Sequence, residues 1–253
     1  MKKIHIIFIL IIILFILFKY KKKETFETTD IKIAILIISD KNTKNNRWIY
    51  EKEIWKKYTN KYKNIDCFFI ECSDNNKINT NENTINSKCK ESLIPGIYQK
   101  TLHSLKQLKN KYNYYIRTNL STFVIFNNLL KQLKKIPNNK YIYTGVVGVF
   151  SKIKYISGTC IILNNNTVNI LLKYGFHKKY YKSKKYDDFV IGVVIKDYLG
   201  DIINSHNINW RQDISDNKLN LNLTEIPFIR YKDINLKNKK KISSKLLKEI
   251  YNV

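Results

Sequence analysis

The 253 residues, 44% apolar and 13% aromatic, supply enough material for one sizeable core and exclude a chain disordered throughout. The net charge of +26 is almost wholly lysine: only Arg47, Arg117, Arg211 and Arg230 are arginine, and the lysines are scattered along the chain. Nucleic-acid readers lean on arginine's bidentate contacts and gather their charge on one face, so nucleic acid is not the expected partner.

The chain opens with Met1-Lys2-Lys3, then Ile4–Phe18, apolar except for His5, then Lys19-Tyr20-Lys21-Lys22-Lys23. This run is shorter than a usual span of about 20 residues, but flanking lysines snorkel and Tyr20 suits the interface. No small-x-small cleavage pattern follows it. Residues 1–23 are therefore expected to form one N-terminal transmembrane helix, an uncleaved signal anchor; a cleaved signal peptide is the alternative. Residues 24–30 read as a linker, 31–231 as one domain, and 232–253 as a basic C-terminal helix or tail. The expected setting is a single-pass protein of a secretory-pathway (ER/Golgi-type) membrane with a lumenal C-terminal domain. The more basic flank after the span argues for the opposite orientation.

Ile31–Ile38 is a near-continuous apolar run, as in a strand buried on both faces. Arg47–Tyr62 carries Trp48, Ile54 or Trp55, and Tyr58 at helical spacing. Ile65–Ile70 reads as a second strand, and Ser73–Glu91, rich in Asn and Lys, as a polar loop. After Pro95-Gly96, Tyr98, Leu102 and Leu105 line one face of a helix over Tyr98–Asn110. Tyr114–Arg117 is a strand, Phe126–Leu133 a helix, and Tyr141–Val149 and Thr159–Leu163 are strands. Val168–Tyr174 is a helix capped at Gly175, Asp188–Leu199 another, and Ser243–Tyr251 the last. This alternation predicts an α/β fold, a mostly parallel sheet flanked by helices. Ligands of such sheets bind beyond the carboxyl ends of the strands. Here those places are the loops after Ile38, after Arg117 and around Asp187.

Cys67, Cys72, Cys89 and Cys160 form no CxxC or Cys/His pattern, which excludes the usual zinc motifs. Cys160 lies in an apolar run and is expected in the core. Cys72 and Cys89 flank the polar loop and either bridge, in an oxidising compartment, or remain thiols. N-x-S/T patterns begin at Asn119, Asn165 and Asn222, with little weight in so Asn-rich a chain. His177 reads as a surface residue, His206 is not singled out by its neighbours, and Arg230 is expected to be exposed on a core strand.

Tyr186-Asp187-Asp188-Phe189-Val190-Ile191-Gly192 sets two carboxylates before an apolar helix. One reading is capping of the free backbone N–H groups. The other makes one carboxylate a general base toward a hydroxyl.

Several segments, in order, resemble the fringe and β-1,3-galactosyltransferase type of glycosyltransferase, an inverting family of GT-A fold. RWIYEKEIW (Arg47–Trp55) resembles the family's "R..IR.TW" helix and YQKTLHSL (Tyr98–Leu105) its "Y.NLTLKTL" helix. YIRTNLSTFV (Tyr115–Val124) resembles "VLKTDDDTFV", YISGTCIIL (Tyr155–Leu163) resembles "YCSGGGYVLS", and YDDFVIG (Tyr186–Gly192) resembles "EDVYVG". The likeness spans roughly residues 31–200. It implies a nucleotide-sugar donor and a glycan or glycoprotein acceptor. Asp188 would take the acceptor's proton, with Asp187 as its acidic neighbour, and Ser157, Gly158 and Thr159 would form the small-residue turn lining the sugar site.

The departure lies at Asn119-Leu120-Ser121, which stands where the family has a metal-binding triple aspartate. Mn²⁺ there would stabilise the leaving diphosphate, but neutral Asn119 and Ser121 oxygens bind a hard dication poorly. Three outcomes stay open: basic residues such as Arg117 replace the metal, another acid such as Asp187 holds it, or catalysis is lost. Arg117 read by itself is an exposed strand-end residue. The rival functions are a catalytically inactive GT-A-fold binding protein and a basic membrane-tethered polyanion-binding module.

Overall fold

A computed structural model describes residues 31–41, 46–137, 139–203, 208–214, 225–231 and 235–252. The expected anchor and linker, residues 1–30, and His206 lie outside them. Among the described residues no helix is long and apolar enough to cross a membrane.

Every side chain of β1 (Ile33–Ile38) is buried, and a strand apolar on both faces belongs in the middle of a covered sheet. It pairs in parallel with β2 (Ile65–Ser73) on one side and β5 (Tyr114–Asn119) on the other. β2 pairs in parallel with β4 (Thr84–Lys88), and β3 (Lys77–Asn79) closes that edge antiparallel. Beyond β5, β8 (Ile153–Asn164) and then β7 (Tyr143–Phe150) are both added antiparallel. The order is β3-β4-β2-β1-β5-β8-β7.

Two expectations need correction. The sheet is mixed rather than mostly parallel, because only Ser151-Lys152 separates β7 from β8, far too short a link for a parallel crossover. Ser73–Glu91 is not a plain loop but contains β3 and β4. Its Thr84, Ile85 and Ser87 are buried beside β2, a pattern masked by surrounding Asn and Lys. A Cys72–Cys89 disulfide staples this segment to the end of β2, while Cys67 and Cys160 are buried thiols.

The helices are α1 (Asn46–Lys56), α2 (Gly96–Gln107), α3 (Phe126–Lys135), α4 (Asn165–Tyr174), α5 (Lys178–Tyr181), α6 (Asp187–Leu199) and α7 (Leu236–Leu246). α1 stops short of the expected Tyr62 and gives way to a single 3-10 turn at Thr59–Lys61. Leu102 and Leu105 of α2, Val168 and Leu171 of α4, and Val190 and Val194 of α6 form one core with Ala34 and Leu36 of β1. A second, aromatic cluster joins Trp55, Tyr58, Phe123, Phe126 and Tyr251. A small sheet, β6 (Thr122–Val124), β10 (Phe228–Tyr231) and β9 (Arg211–Ile214), lies beside it in the order β6-β10-β9.

The C-terminal helix begins at Leu236, earlier than the expected Ser243, and ends in a π-helical turn at Leu247–Tyr251. It is packed rather than trailing. The Tyr251 hydroxyl accepts from the Phe126 amide at 3.1 Å and donates to the Val124 carbonyl at 2.6 Å. Lys239 forms a buried ion pair with Glu51 of α1.

Candidate active site

The ends of β1 and β5 lie side by side, with Ile38 opposite Asn119. β8 runs the other way, Arg117 opposite Ile161, so the residues preceding Ile161 reach the same edge. These are Ser157, Gly158 and Thr159. The N-terminus of α6 meets them there: the Gly158 amide donates to Asp188 Oδ2 at 2.9 Å. Asp188 Oδ1 accepts from the Phe189 amide at 2.8 Å. Capping therefore accounts for one oxygen of Asp188, while the other ties helix to strand.

Asp187 has a different partner. Arg117 Nη2 lies 2.7 Å from Asp187 Oδ2, an ion-pair approach without hydrogen-bond alignment, and both side chains are buried. Arg117 Nη1 donates to Asn119 Oδ1 at 2.9 Å and to the Gly158 carbonyl. Burial pushes the Asp187 carboxyl above its ordinary value; the Arg117 charge opposes this and the Asp188 charge adds to it.

The expectation of an exposed strand-end arginine is overturned. β5 is covered on both sides, by β1 and β8, so its end lies inside the molecule and its guanidinium is stable there only with a counter-charge. Arg117 is also not a free cation for a diphosphate. Gly158 is needed for this arrangement, since a Cβ at that position would lie 2.3 Å from Arg117 Nη1. Gly192 of α6 serves close packing in turn: a Cβ there would lie 2.6 Å from the Cβ of Tyr155.

The residues that would have to hold Mn²⁺ do not fit it. Asn119 Oδ1 and Asp187 both face the Arg117 guanidinium, so a dication bound to either would sit against a fixed positive charge. Ser121 lies in the turn between β5 and β6, where its carbonyl accepts from the Tyr231 amide at 3.1 Å. Among the described residues no group of three or more His, Cys, Asp or Glu could hold a metal ion.

Two further cations lie at this edge of the sheet, Arg211 against Thr159 and Lys100 at the end of β1, and neither was singled out in the sequence. Arg211 Nη1 donates to Thr159 Oγ1 at 3.2 Å, and its Nε lies 2.8 Å from Asp213. Lys100 of α2, almost fully buried, donates to the Ser39 carbonyl at 2.6 Å and pairs with Glu91. Arg211 stands on a short strand with no local signature, and Lys100 reads as the polar side of an amphipathic helix.

Beyond the end of β1 opens a cavity of about 350 Å³, lined by Ile38, Ser39, Asp40, Trp48, Leu93 and Lys100 among others. Trp48 and Leu93 leave 39% and 61% of their surfaces exposed at it. Glu91, on the same wall, accepts from the Cys72 amide at 3.1 Å, which connects the cavity to the disulfide.

No family model matches the sequence, and no curated protein is recognisably similar to it. Solved structures similar to the chain include a glycosyltransferase involved in the glycosylation of the major capsid of PBCV-1, with 11% identity over 84% of this chain and 99% of that one, TM-score 0.45. The galactosyltransferase LgtC, in complex with donor and acceptor sugar analogs, shows 9% identity over 84% and 95%, TM-score 0.47. Mouse xyloside xylosyltransferase 1 shows 6% identity over 80% and 98%, TM-score 0.48. Likenesses this distant transfer no role to any residue of this chain.

Proposed function

We propose that the protein is an inverting glycosyltransferase of GT-A type that moves a sugar from a nucleoside-diphosphate donor to a hydroxyl of a glycan or glycoprotein. One observation carries this reading: a carboxylate, Asp188, oriented by two backbone amides, at the sheet edge that also bears the cavity of about 350 Å³. That volume falls within the range of small-molecule sites.

In this reading Trp48 offers an aromatic face to the nucleobase and Asp40 an acceptor for ribose hydroxyls. Asp188 takes the proton of the acceptor hydroxyl. The freed oxygen attacks the anomeric carbon as the bond from that carbon to the diphosphate oxygen breaks, and the electron pair leaves with the nucleoside diphosphate. Arg117 and Asp187 position Asp188. The charge developing on the leaving group falls to a fixed cation rather than to a metal: Arg211, part-exposed and paired with Asp213, suits this better than Lys100, which is buried against Glu91. The Cys72–Cys89 bridge supports an oxidising, secretory-type compartment, in keeping with the single-pass anchor expected over 1–23.

The lack of carboxylates at Asn119 and Ser121 favours a second reading, a GT-A-fold protein that binds sugar nucleotides without transferring them. Calorimetry and hydrolysis assays on the full chain with UDP-, GDP- and CMP-sugars, with and without Mn²⁺, separate the two. Hydrolysis without a metal requirement supports the enzyme. Binding without turnover supports the second reading, and absence of both rejects the two together.

A further inference from the structure

The β7–β8 hairpin outruns the sheet. β5 pairs with β8 only from Ile161 to Asn164, while Val147–Phe150 and Ile153–Ile156 continue as a two-stranded arm. Its tip, Ser151-Lys152, has φ of 49° and 64°, a tight geometry usually given to Asn-Gly. The arm projects from the edge opposite the one where the chain enters β1 after Lys32.

One side of the arm is an aromatic ledge. Phe150 and Tyr155 meet Phe189 edge to face, with ring centroids 5.3 Å and 5.8 Å away. Phe189 follows Asp188 directly. Burial and then the Asp188 charge push the Tyr155 phenol up, so the ledge lies within the field of that carboxylate. Phe150 remains 48% exposed and Tyr186, just before the acidic pair, 59%. This leaves aromatic surface open beside Asp188, a face available to a ligand.

Asp188 apart, the charged side chains bordering the ledge are lysines. Lys152 at the tip and Lys184 and Lys185 before α6 are exposed, and none forms an ion pair among the described residues; Lys154, opposite Val149, belongs to the other face of the arm. Lys185 Nζ stands 5.3 Å from the centre of the Phe150 ring. A pyranose ring presents an apolar face that suits an open phenyl group, and clustered ammonium groups attract an anion in a salt-sensitive way.

We propose that the arm is the acceptor platform and that the acceptor is an anionic glycan, its ring on Phe150 and its carboxylate or phosphate met by Lys152 at the tip and by Lys184 and Lys185 of the loop before α6. This rests on the transferase reading of Asp188 and adds to it the charge of the acceptor.

The test titrates the full chain with oligogalacturonides, phosphorylated manno-oligosaccharides and neutral cello-oligosaccharides, alongside phosphatidylserine vesicles. Binding of an acidic oligosaccharide about tenfold tighter than the neutral one is expected, an advantage that shrinks as salt is added. The acid that binds identifies carboxylate or phosphate as the recognised group. Phe150→Ala and Lys185→Gln each weaken it, and Lys185→Arg restores it. Equal binding of neutral and acidic sugars, or binding indifferent to both substitutions, overturns the proposal. Capture by vesicles without any oligosaccharide binding overturns it in favour of a membrane surface. Donor affinity of the unaltered chain is measured in parallel: its absence sinks the transferase reading, so the two failures are told apart.

Discussion

Arg117 and Asp187 meet at 2.7 Å with 5% and 8% of their side chains exposed, and the contact fastens the end of β5 to the first turn of α6. The next residue is Asp188, so the direction of that carboxylate depends on a buried charge pair.

Removing one partner of this pair leaves the other charge buried alone, which costs about 3–5 kcal/mol. Asp187→Ala is expected to lower the urea midpoint accordingly. The double substitution Arg117→Met with Asp187→Leu recovers most of the loss but not the transfer activity. A midpoint unchanged in Asp187→Ala would mean that the pair is solvated.

Asp188→Asn keeps one acceptor oxygen, sets an NH2 donor against the other backbone N–H, and removes the carboxylate proposed as base. On that reading transfer is expected to fall about 100-fold or more, with a stability loss of about 1–3 kcal/mol. Release of nucleoside diphosphate and a thermal melt read the two effects. Undiminished transfer reassigns the base.

Gly158→Ala pushes a methyl group into the Arg117 guanidinium, at a cost of about 1–3 kcal/mol. Because the displaced group also holds Asp187, transfer is expected to drop more than stability does. Crystals of the variant with Arg117 undisturbed contradict this.

Burial pushes the phenols of Tyr58, Tyr98, Tyr143, Tyr231 and Tyr251 up from their ordinary value of 10.0. The unfolded chain releases these protons near that value and the folded chain holds them to higher pH. Stability fully present below pH 10.0 is therefore lost as pH rises toward the folded values. Melting temperature is expected to fall with pH in that window, and tyrosinate absorbance to appear together with unfolding. Tyrosinate forming stepwise in a folded chain would be the contrary result.

The Cys72–Cys89 bridge spans a sequence separation of 17. A loop of that order adds about 3 kcal/mol. Cys89→Ser is expected to lose about that much and, because Glu91 ties the segment to the cavity wall, to weaken donor binding. Calorimetry with the preferred nucleotide sugar decides the second point.

The centre of the fold was readable because its chemistry is local. β1 is apolar without interruption, Tyr98, Leu102 and Leu105 repeat at helical spacing, and Asp187-Asp188 stands before an apolar run. β3 and β4 were hidden because their buried positions are Thr, Ser and a lone Ile among Asn and Lys. The burial of Arg117 depends on a carboxylate far along the chain, which no window of sequence displays. Arg211 and Lys100 escaped notice for the same reason, and the cavity borrows its walls from several separate stretches.

β8 is at once a wall of the core, from Ile161 onward, and, over Ile153–Ile156, one strand of a ribbon paired only with β7 and backed by α6. Side chains alternate along such a ribbon, so two residues added to each strand lengthen it by about 7 Å and leave every remaining side chain on its own face. One added residue turns the whole ledge over. Paired insertions can thus alter how far the arm reaches while leaving the Asp188 end of α6 untouched, and single-residue insertions here are expected to be the rarest.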